Sequence, residues 1–375
     1  METRKSRLGR KVALFALVFG TLRWDTYVRT ASDPQAFVTT MKTPILPAVC
    51  LIAVLGSLAK SSEPGELAIT TAVPRVQVIP LPHHQASFQY DGRELLASHF
   101  DPSDRRPFWY PIRTADDASL TRMGHPHDAL THSHHNSLWI AHSDVDGVNY
   151  WGDLGKDLGR IVNVTIPRDA YADGADLASM TMINHWVRDD DASVQLIETR
   201  RAQVVPLEGA KSWLMVVDLA YTTPAGAATT FRPSAFGLMA VRMAKSIGVR
   251  DGGGRILNSD GLINEAECFR KPAKWCDYSG RISNGEHGLA GIVLMNHPMN
   301  PQHPTPFHVR DDGWMGACLN FERSIHVSDT KPLKLRYGLW VHSGAATVEE
   351  IETVWTQFAE RAVVGPNDEA VTTKP

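Results

Sequence analysis

Ala86-Ser-Phe-Gln-Tyr-Asp-Gly-Arg-Glu-Leu-Leu-Ala97 reads as a β-hairpin. Asp91-Gly92 lies between two runs that contain apolar residues. Both central residues of a tight hairpin need positive φ, which this pair tolerates. Working outward, strands are expected at Leu67–Thr71, Val76–Ile79 and Phe108–Ile112. More follow at His134–His142, Ile161–Ile166, Ala178–Val187, Ser193–Val204, Ser212–Thr222 and Ala235–Met243, then at Leu289–Met295, Met315–Asn320 and Leu333–His342. Turn clusters such as Asp251–Gly254 and Ser283–Gly285 separate them. Many strands at modest spacing, with almost no helix, predict an all-β fold built as a large antiparallel sandwich. One helix is expected at the C-terminal end. Thr347-Val-Glu-Glu350 has the capping-box pattern, and Val348, Ile351, Val354, Trp355 and Phe358 recur at helical spacing.

At 375 residues, with 43% apolar and 21% charged residues, the composition is that of a globular chain. The formal net charge of −3 is unevenly spread. Residues 1–62 hold nine Lys/Arg and three Asp/Glu, so the rest holds 29 of the 38 basic and 38 of the 41 acidic residues. That body offers no basic field to nucleic acid and suits a small polar ligand. Met41-Lys-Thr-Pro-Ile-Leu-Pro-Ala-Val-Cys50 and the apolar run to Leu58 read as a secretory signal. The expected organisation is an extension from a start placed too early (1–40), a signal (41–60), a linker (61–66), one β domain (67–362) and a polar tail (363–375). Export follows from it, with a retained N-terminal anchor as the alternative and the only route to a membrane. Past the signal, Cys268, Cys276 and Cys318 remain, an odd number with no C-x-x-C. Pairing of Cys268 with Cys276 and buried free thiols are both open.

Chemistry concentrates in Arg122–Trp151, which carries six of the sixteen histidines: His125, His127, His132, His134, His135 and His142. His134–His142 alternates as a strand would, placing His134 and His142 on one face and His135 and Trp139 on the other. His134, His135 and His142 are candidate proton-transfer groups, since imidazole changes charge near neutral pH. His125, His127, His132 and His134 form an alternative N-donor set for one divalent transition metal. The main reading needs no cofactor. Trp275-Cys-Asp-Tyr-Ser-Gly280 offers Asp277 as a carboxylate and Trp275 as a stacking surface; Trp139 and Trp151 join it. The Asn296–Arg310 stretch is stiffened by proline and places His297, Asn300 and Arg310 at a pocket rim. Asn149 and Arg242 complete the candidate ligand contacts, and Glu265 or Glu267 could serve as acid or base. No P-loop, G-x-G-x-x-G after a strand, G-x-S-x-G or H-E-x-x-H occurs.

Arg106-Pro-Phe-Trp-Tyr-Pro111, His132-Ser-His-His-Asn-Ser-Leu-Trp139, Asp146-Gly-Val-Asn-Tyr-Trp151, Trp275–Gly280 and the Asn296–Arg310 stretch together resemble a bacterial family labelled PmoA or domain of unknown function 6807. The resemblance spans roughly residues 70–343. It implies a galactose-mutarotase-like β-supersandwich in a carbohydrate context. Ser133 and Asn136 stand where the family pattern has Pro and Arg, so a substrate carboxylate is not expected at position 136. The methane-oxygenase label does not transfer, because the membrane subunit of similar name has several spanning helices and the apolar runs here are short. The expected function is carbohydrate binding with His/Asp acid–base chemistry: isomerisation of the mutarotase kind, a lyase reaction or glycoside hydrolysis. The alternatives are a metal-dependent enzyme on the His125–His142 cluster and a non-catalytic carbohydrate-binding surface protein.

Overall fold

The hairpin forms as the sequence predicts. In the computed structural model, which describes residues 72–207, 211–282 and 288–362, β1 (Val76–Leu81) leads to β2 (Gln85–Tyr90). Asp91 and Gly92, at φ 48° and 77°, then turn the chain into β3 (Arg93–His99). In chain order there follow β4 (Phe108–Ile112), β5 (Leu138–Ile140), β6 (Gly159–Thr165), β7 (Tyr171–Ala172), β8 (Ala178–Arg188), β9 (Val194–Leu207) and β10 (Ser212–Thr222). Next come β11 (Ala228–Phe231), β12 (Leu238–Arg242), α1 (Val249–Gly252), β13 (Arg255–Asn258), α2 (Asn264–Cys268), β14 (Lys271–Ala273) and β15 (Trp275–Arg281). The chain ends with β16 (Leu289–Asn296), β17 (Thr305–Arg310), β18 (Trp314–Cys318), β19 (Ile325–Ser328), β20 (Leu333–Ser343) and α3 (Val348–Glu360). The proposed extension, signal, linker, strand at 67–71 and tail lie outside the described residues.

Two large antiparallel sheets carry the fold. The first has the order β1-β2-β3-β4-β5-β12-β18-β17-β14. The second has the order β13-β15-β16-β20-β10-β9-β8-β6, with β7 paired to β8. One apolar core joins them, drawing Leu138, Met239, Val241, Met315 and Phe307 from the first sheet and Met215, Val217, Ile292 and Leu339 from the second. The other face of the second sheet has its own core, where Leu214, Val216, Trp275, Val293 and Trp340 meet Ile351, Val354 and Phe358 of α3. This two-sided burial explains why β10 is apolar at nearly every position. The capping box of α3 is formed: Glu350 N–H donates to Thr347 Oγ1 at 3.2 Å and Thr347 N–H to Glu350 Oε2 at 2.8 Å. Such a cap contributes about 1 kcal/mol, and each buried large apolar side chain of the helix about 1.5–3 kcal/mol.

Two expectations change and one open alternative is decided. The strand read over His134–His142 shrinks to Leu138–Ile140, because Ser137 takes φ 60° and breaks the extended backbone ahead of it. The proline-rich stretch becomes strand β17 from Thr305 onward. Cys268, Cys276 and Cys318 are buried free thiols, so the open pairing of Cys268 with Cys276 is not formed. No helix among the described residues is long and apolar enough to cross a membrane.

Candidate functional site

The site begins with strand register. Arg242 of β12, Trp314 of β18 and Arg310 of β17 stand side by side across three adjacent strands. Two residues along, Trp139, Ala240, Gly316 and His308 form the next rung. Side chains alternate along a strand, so both rungs project from one face of the first sheet while Val241, Met315 and Val309 turn to the core. Ala240 and Gly316 leave room at the centre, and the Trp314 ring lies over Gly316, 3.3 Å from where a Cβ would be.

Two loops raise the walls of a cavity of about 650 Å³ over this face. One, before β5, brings His125, His132, His134 and His135; the other, after β5, brings Asn149, Trp151 and Asp153. Arg106 ties the loops together from beneath. It donates to the carbonyl oxygens of Trp151 at 2.9 Å and Tyr150 at 3.4 Å, to Asp153 at 2.7 Å and to Asn136 Oδ1 at 2.7 Å. Ser133 Oγ adds a bond to Asp153 at 3.0 Å. On the opposite wall Arg310 pairs with Glu265, whose other oxygen accepts the Asp311 amide at 2.9 Å. Arg242 pairs with Asp312 at 2.8 Å. Aromatic surface comes from Trp151, Trp314 and Phe236, with ring centroids 5.5 and 5.7 Å from Trp151.

Burial lowers the basicity of His125, His134, His135 and His308. It lowers His134 to about 4, with the nearby Arg106 adding to the effect. Burial followed by the charge of Arg242 pushes His135 far down and His125 down. Burial also lowers His308, against the Ala235 carbonyl that favours its protonation. Burial, the largest single influence, would raise Asp312, but the charge and hydrogen bond of Arg242 together with the bond from His125 outweigh it and hold the carboxylate ionised.

The structure brings together His134, His135, Asn149, Trp151, Arg242 and Arg310 in the cleft, as well as Glu265. It sends the other candidates elsewhere. His142 is fully buried beyond β5, with Nδ1 accepting the Asp144 amide at 3.1 Å and Nε2–H donating to Asn320 at 2.9 Å. Trp139 is a buried support, stacked at 5.5 Å on the His135 ring. Trp275 lies on the α3 side of the second sheet and donates Nε1–H to Glu352 at 2.7 Å. Asp277 shares that strand face and is fully buried with His342 at 3.0 Å and Ser279 at 2.8 Å. His297 pins the Ala359 carbonyl at 3.0 Å, and Asn300 holds Asn296 and the backbone of Arg336. Both are fastened to the scaffold, away from a rim. Of the metal set, His125 and His132 lie 4.8 Å apart and His132 and His134 5.7 Å apart by ring centroid, while His127 turns out to Asp251 at 2.9 Å. Among the described residues no group of three or more His, Cys, Asp and Glu side chains is arranged to hold a metal ion.

Sequence reading missed His308, Asp312 and Trp314 as site residues. The available signal was the alternation Phe307-His-Val-Arg310: apolar side chains inward, polar ones outward, on a strand rather than a loop.

The family described as "Family of unknown function (DUF6807)" matches residues 85–356. The chain belongs to that family. The match contains every cleft residue named above, from His125 to Trp314. The PmoA label finds no counterpart in these comparisons. No curated protein matches the sequence. Among solved structures, a candidate mutarotase, YeaD, from Salmonella typhimurium is 10% identical, with a TM-score of 0.31 over 73% of this chain and 96% of that one. The galactosidase domain of an alpha-galactosidase-sucrose kinase, AgaSK, is 11% identical, with a TM-score of 0.23 over 72% of this chain and 41% of that one.

Proposed function

We propose that this protein binds a carbohydrate in the cleft above β12, β17 and β18 and transforms it by proton transfer through uncharged imidazoles. The supporting observation is one cavity in which the Trp151, Trp314 and Phe236 faces stand beside the Arg242–Asp312 and Arg310–Glu265 pairs. A sugar presents C–H faces to aromatic rings and hydroxyl edges to charged, directional partners, and this wall offers both. The volume is in the usual range for a small-ligand site. His134 and His308 stand in the cleft with their basicity lowered by burial, so at neutral pH they are free to accept a proton.

Saturation-transfer NMR on the protein with a panel of pentoses, hexoses, uronates and disaccharides tests the reading. Binding is expected in the native protein, strongly weakened by Arg310→Ala and unchanged by Trp275→Phe. Absence of binding across the panel would overturn it. Binding that survives His134→Ala together with His308→Ala, with no turnover in either protein, would reduce it to a non-catalytic binding role.

A further inference from the structure

We infer that His135 and His308 are held in opposite tautomers on either side of Trp314 and act as a fixed pair, His135 donating to a substrate oxygen and His308 receiving the proton the substrate gives up. The ligand class rests on the carbohydrate reading above; the two protonation states do not.

A guanidinium only donates. Arg242 Nε reaches His135 Nδ1 at 3.2 Å, so Nδ1 is the acceptor and the ring proton sits on Nε2. Arg242 is in turn fixed by Asp312, through Nη1 to Oδ1 and to the backbone carbonyl, both at 2.8 Å. The second oxygen of Asp312 faces His125 Nε2 at 2.9 Å. His125 Nδ1 accepts the amides of His127 and Asp128, each at 3.0 Å, so its Nε2 carries the proton and donates to Asp312. Three side chains thus lock His135. Its Nε2–H has no hydrogen-bond partner among the described residues, on a ring that lines the cleft. A second proton would have to enter at Nδ1 and displace Arg242, so His135 is a donor and not a base.

His308 is set the other way. Its Nδ1 faces the Ala235 carbonyl at 2.9 Å, and a carbonyl only accepts, so Nδ1 carries the proton. The uncharged ring then leaves Nε2 as a bare lone pair with no partner among the described residues. Phe269 and Phe236 hold the ring at 4.9 and 5.6 Å. His135 stacks on Trp314 at 5.0 Å, and His308 meets its edge at 6.0 Å.

Between these two rings, one base faces one non-titrating donor, and that pairing favours a reaction. Anomer exchange needs a group that surrenders a proton to the ring oxygen, which His135 would do only by becoming an imidazolate. Abstraction of a C–H proton beside a carbonyl needs no such group. The proton goes to His308 Nε2, the C–H electron pair becomes the C=C bond, and the C=O π pair moves onto oxygen, where His135 Nε2–H holds the enolate. Return of the proton to the neighbouring carbon, as the hydroxyl proton of the enediolate passes from its own oxygen to the adjacent oxyanion and the electron pair it leaves behind re-forms a carbonyl, completes an aldose–ketose type isomerisation without an oxidant or co-reactant. The substrate class is a sugar bearing a carbonyl, as an open-chain aldose or ketose or as a ring ketone.

Long-range proton–nitrogen NMR on the protein labelled at histidine nitrogen tests the pair at pH 7, with assignments from single His→Gln variants. Expected are an uncharged His135 protonated at Nε2 and an uncharged His308 protonated at Nδ1. In Arg242→Gln the His135 tautomer should become mixed while the His308 signals stay in place. His135 protonated at Nδ1, or either ring cationic, would overturn the inference, and the native protein alone decides this if Arg242→Gln does not fold. In a parallel assay with D-glucose and D-galactose, accelerated anomer exchange abolished by His135→Gln would overturn the one-base assignment while leaving the carbohydrate reading intact.

Discussion

Arg106 Nη1 donates to Asn136 Oδ1 at 2.7 Å, which binds position 136 to the scaffold rather than to a ligand. The same guanidinium is 1% exposed and reaches both loops that wall the cleft. Arg106→Ala would leave Asp153 and several loop carbonyls without their donor. Removing one partner of a buried ion pair costs about 3–5 kcal/mol. The expected outcome is a loss of that order in chemical denaturation, with weakened sugar binding in the folded fraction. A stability change under 1 kcal/mol would show that the loops are held by something else.

Asp277 and His342 test the separation of scaffold from site. Their side chains are 0% and 2% exposed, and they meet at 3.0 Å on the face of the second sheet that carries α3. Asp277→Ala leaves the buried His342 and Ser279 without their hydrogen-bond partner and should cost about 1–3 kcal/mol. Sugar binding and turnover of the folded variant should match the native protein. Lost turnover at native stability would return Asp277 to the catalytic role that its sequence surroundings suggest.

Gly237 lets Trp151 reach the cleft. Its φ is 72°, and a Cβ there would lie 2.5 Å from the Trp151 ring and 2.7 Å from the Ala141 carbonyl. Gly237→Ala therefore combines left-handed backbone strain with an overpacked contact, together about 2–4 kcal/mol. Thermal unfolding should report the loss. Because Trp151 is the neighbour that must move, sugar affinity should fall as well, and unchanged affinity would argue against Trp151 as a ligand surface.

The hairpin at Asp91-Gly92 and the cap at Thr347 were legible because each depends on a few adjacent residues whose backbone demands are local. The cleft was legible only in part. His134, His135 and Trp151 stand in one dense stretch, whereas His308, Asp312 and Trp314 reach them through pairing of β12, β17 and β18 across a long sequence separation. Trp275–Gly280 misleads for a physical reason. A strand buried on both faces has no polar side to mark as outward, so Asp277 reads as chemistry when it is a partner for His342. His142 misleads similarly: the positive φ of Ser137 cancels the alternation that would have set it beside His134.

His142 also gives the fold a dependence on pH. Burial lowers it to about 4 from an ordinary 6.5, against the favourable bond to Asn320. The unfolded chain therefore takes up a proton at this position before the folded one does, and stability must fall as pH drops through the interval between the two values. The gap between these two values sets an upper bound of about 3 kcal/mol, fully present as a loss below about pH 4 and absent above about pH 6.5. His134, lowered to about 4 by burial and then by Arg106, acts in the same direction. Denaturation midpoints measured from pH 7 to 4 should fall, and His142→Gln, which cannot titrate, should flatten the slope by close to one proton. An equal slope in both proteins would mean that His142 is charged in the folded state, contrary to the bond its Nδ1 accepts from the Asp144 amide.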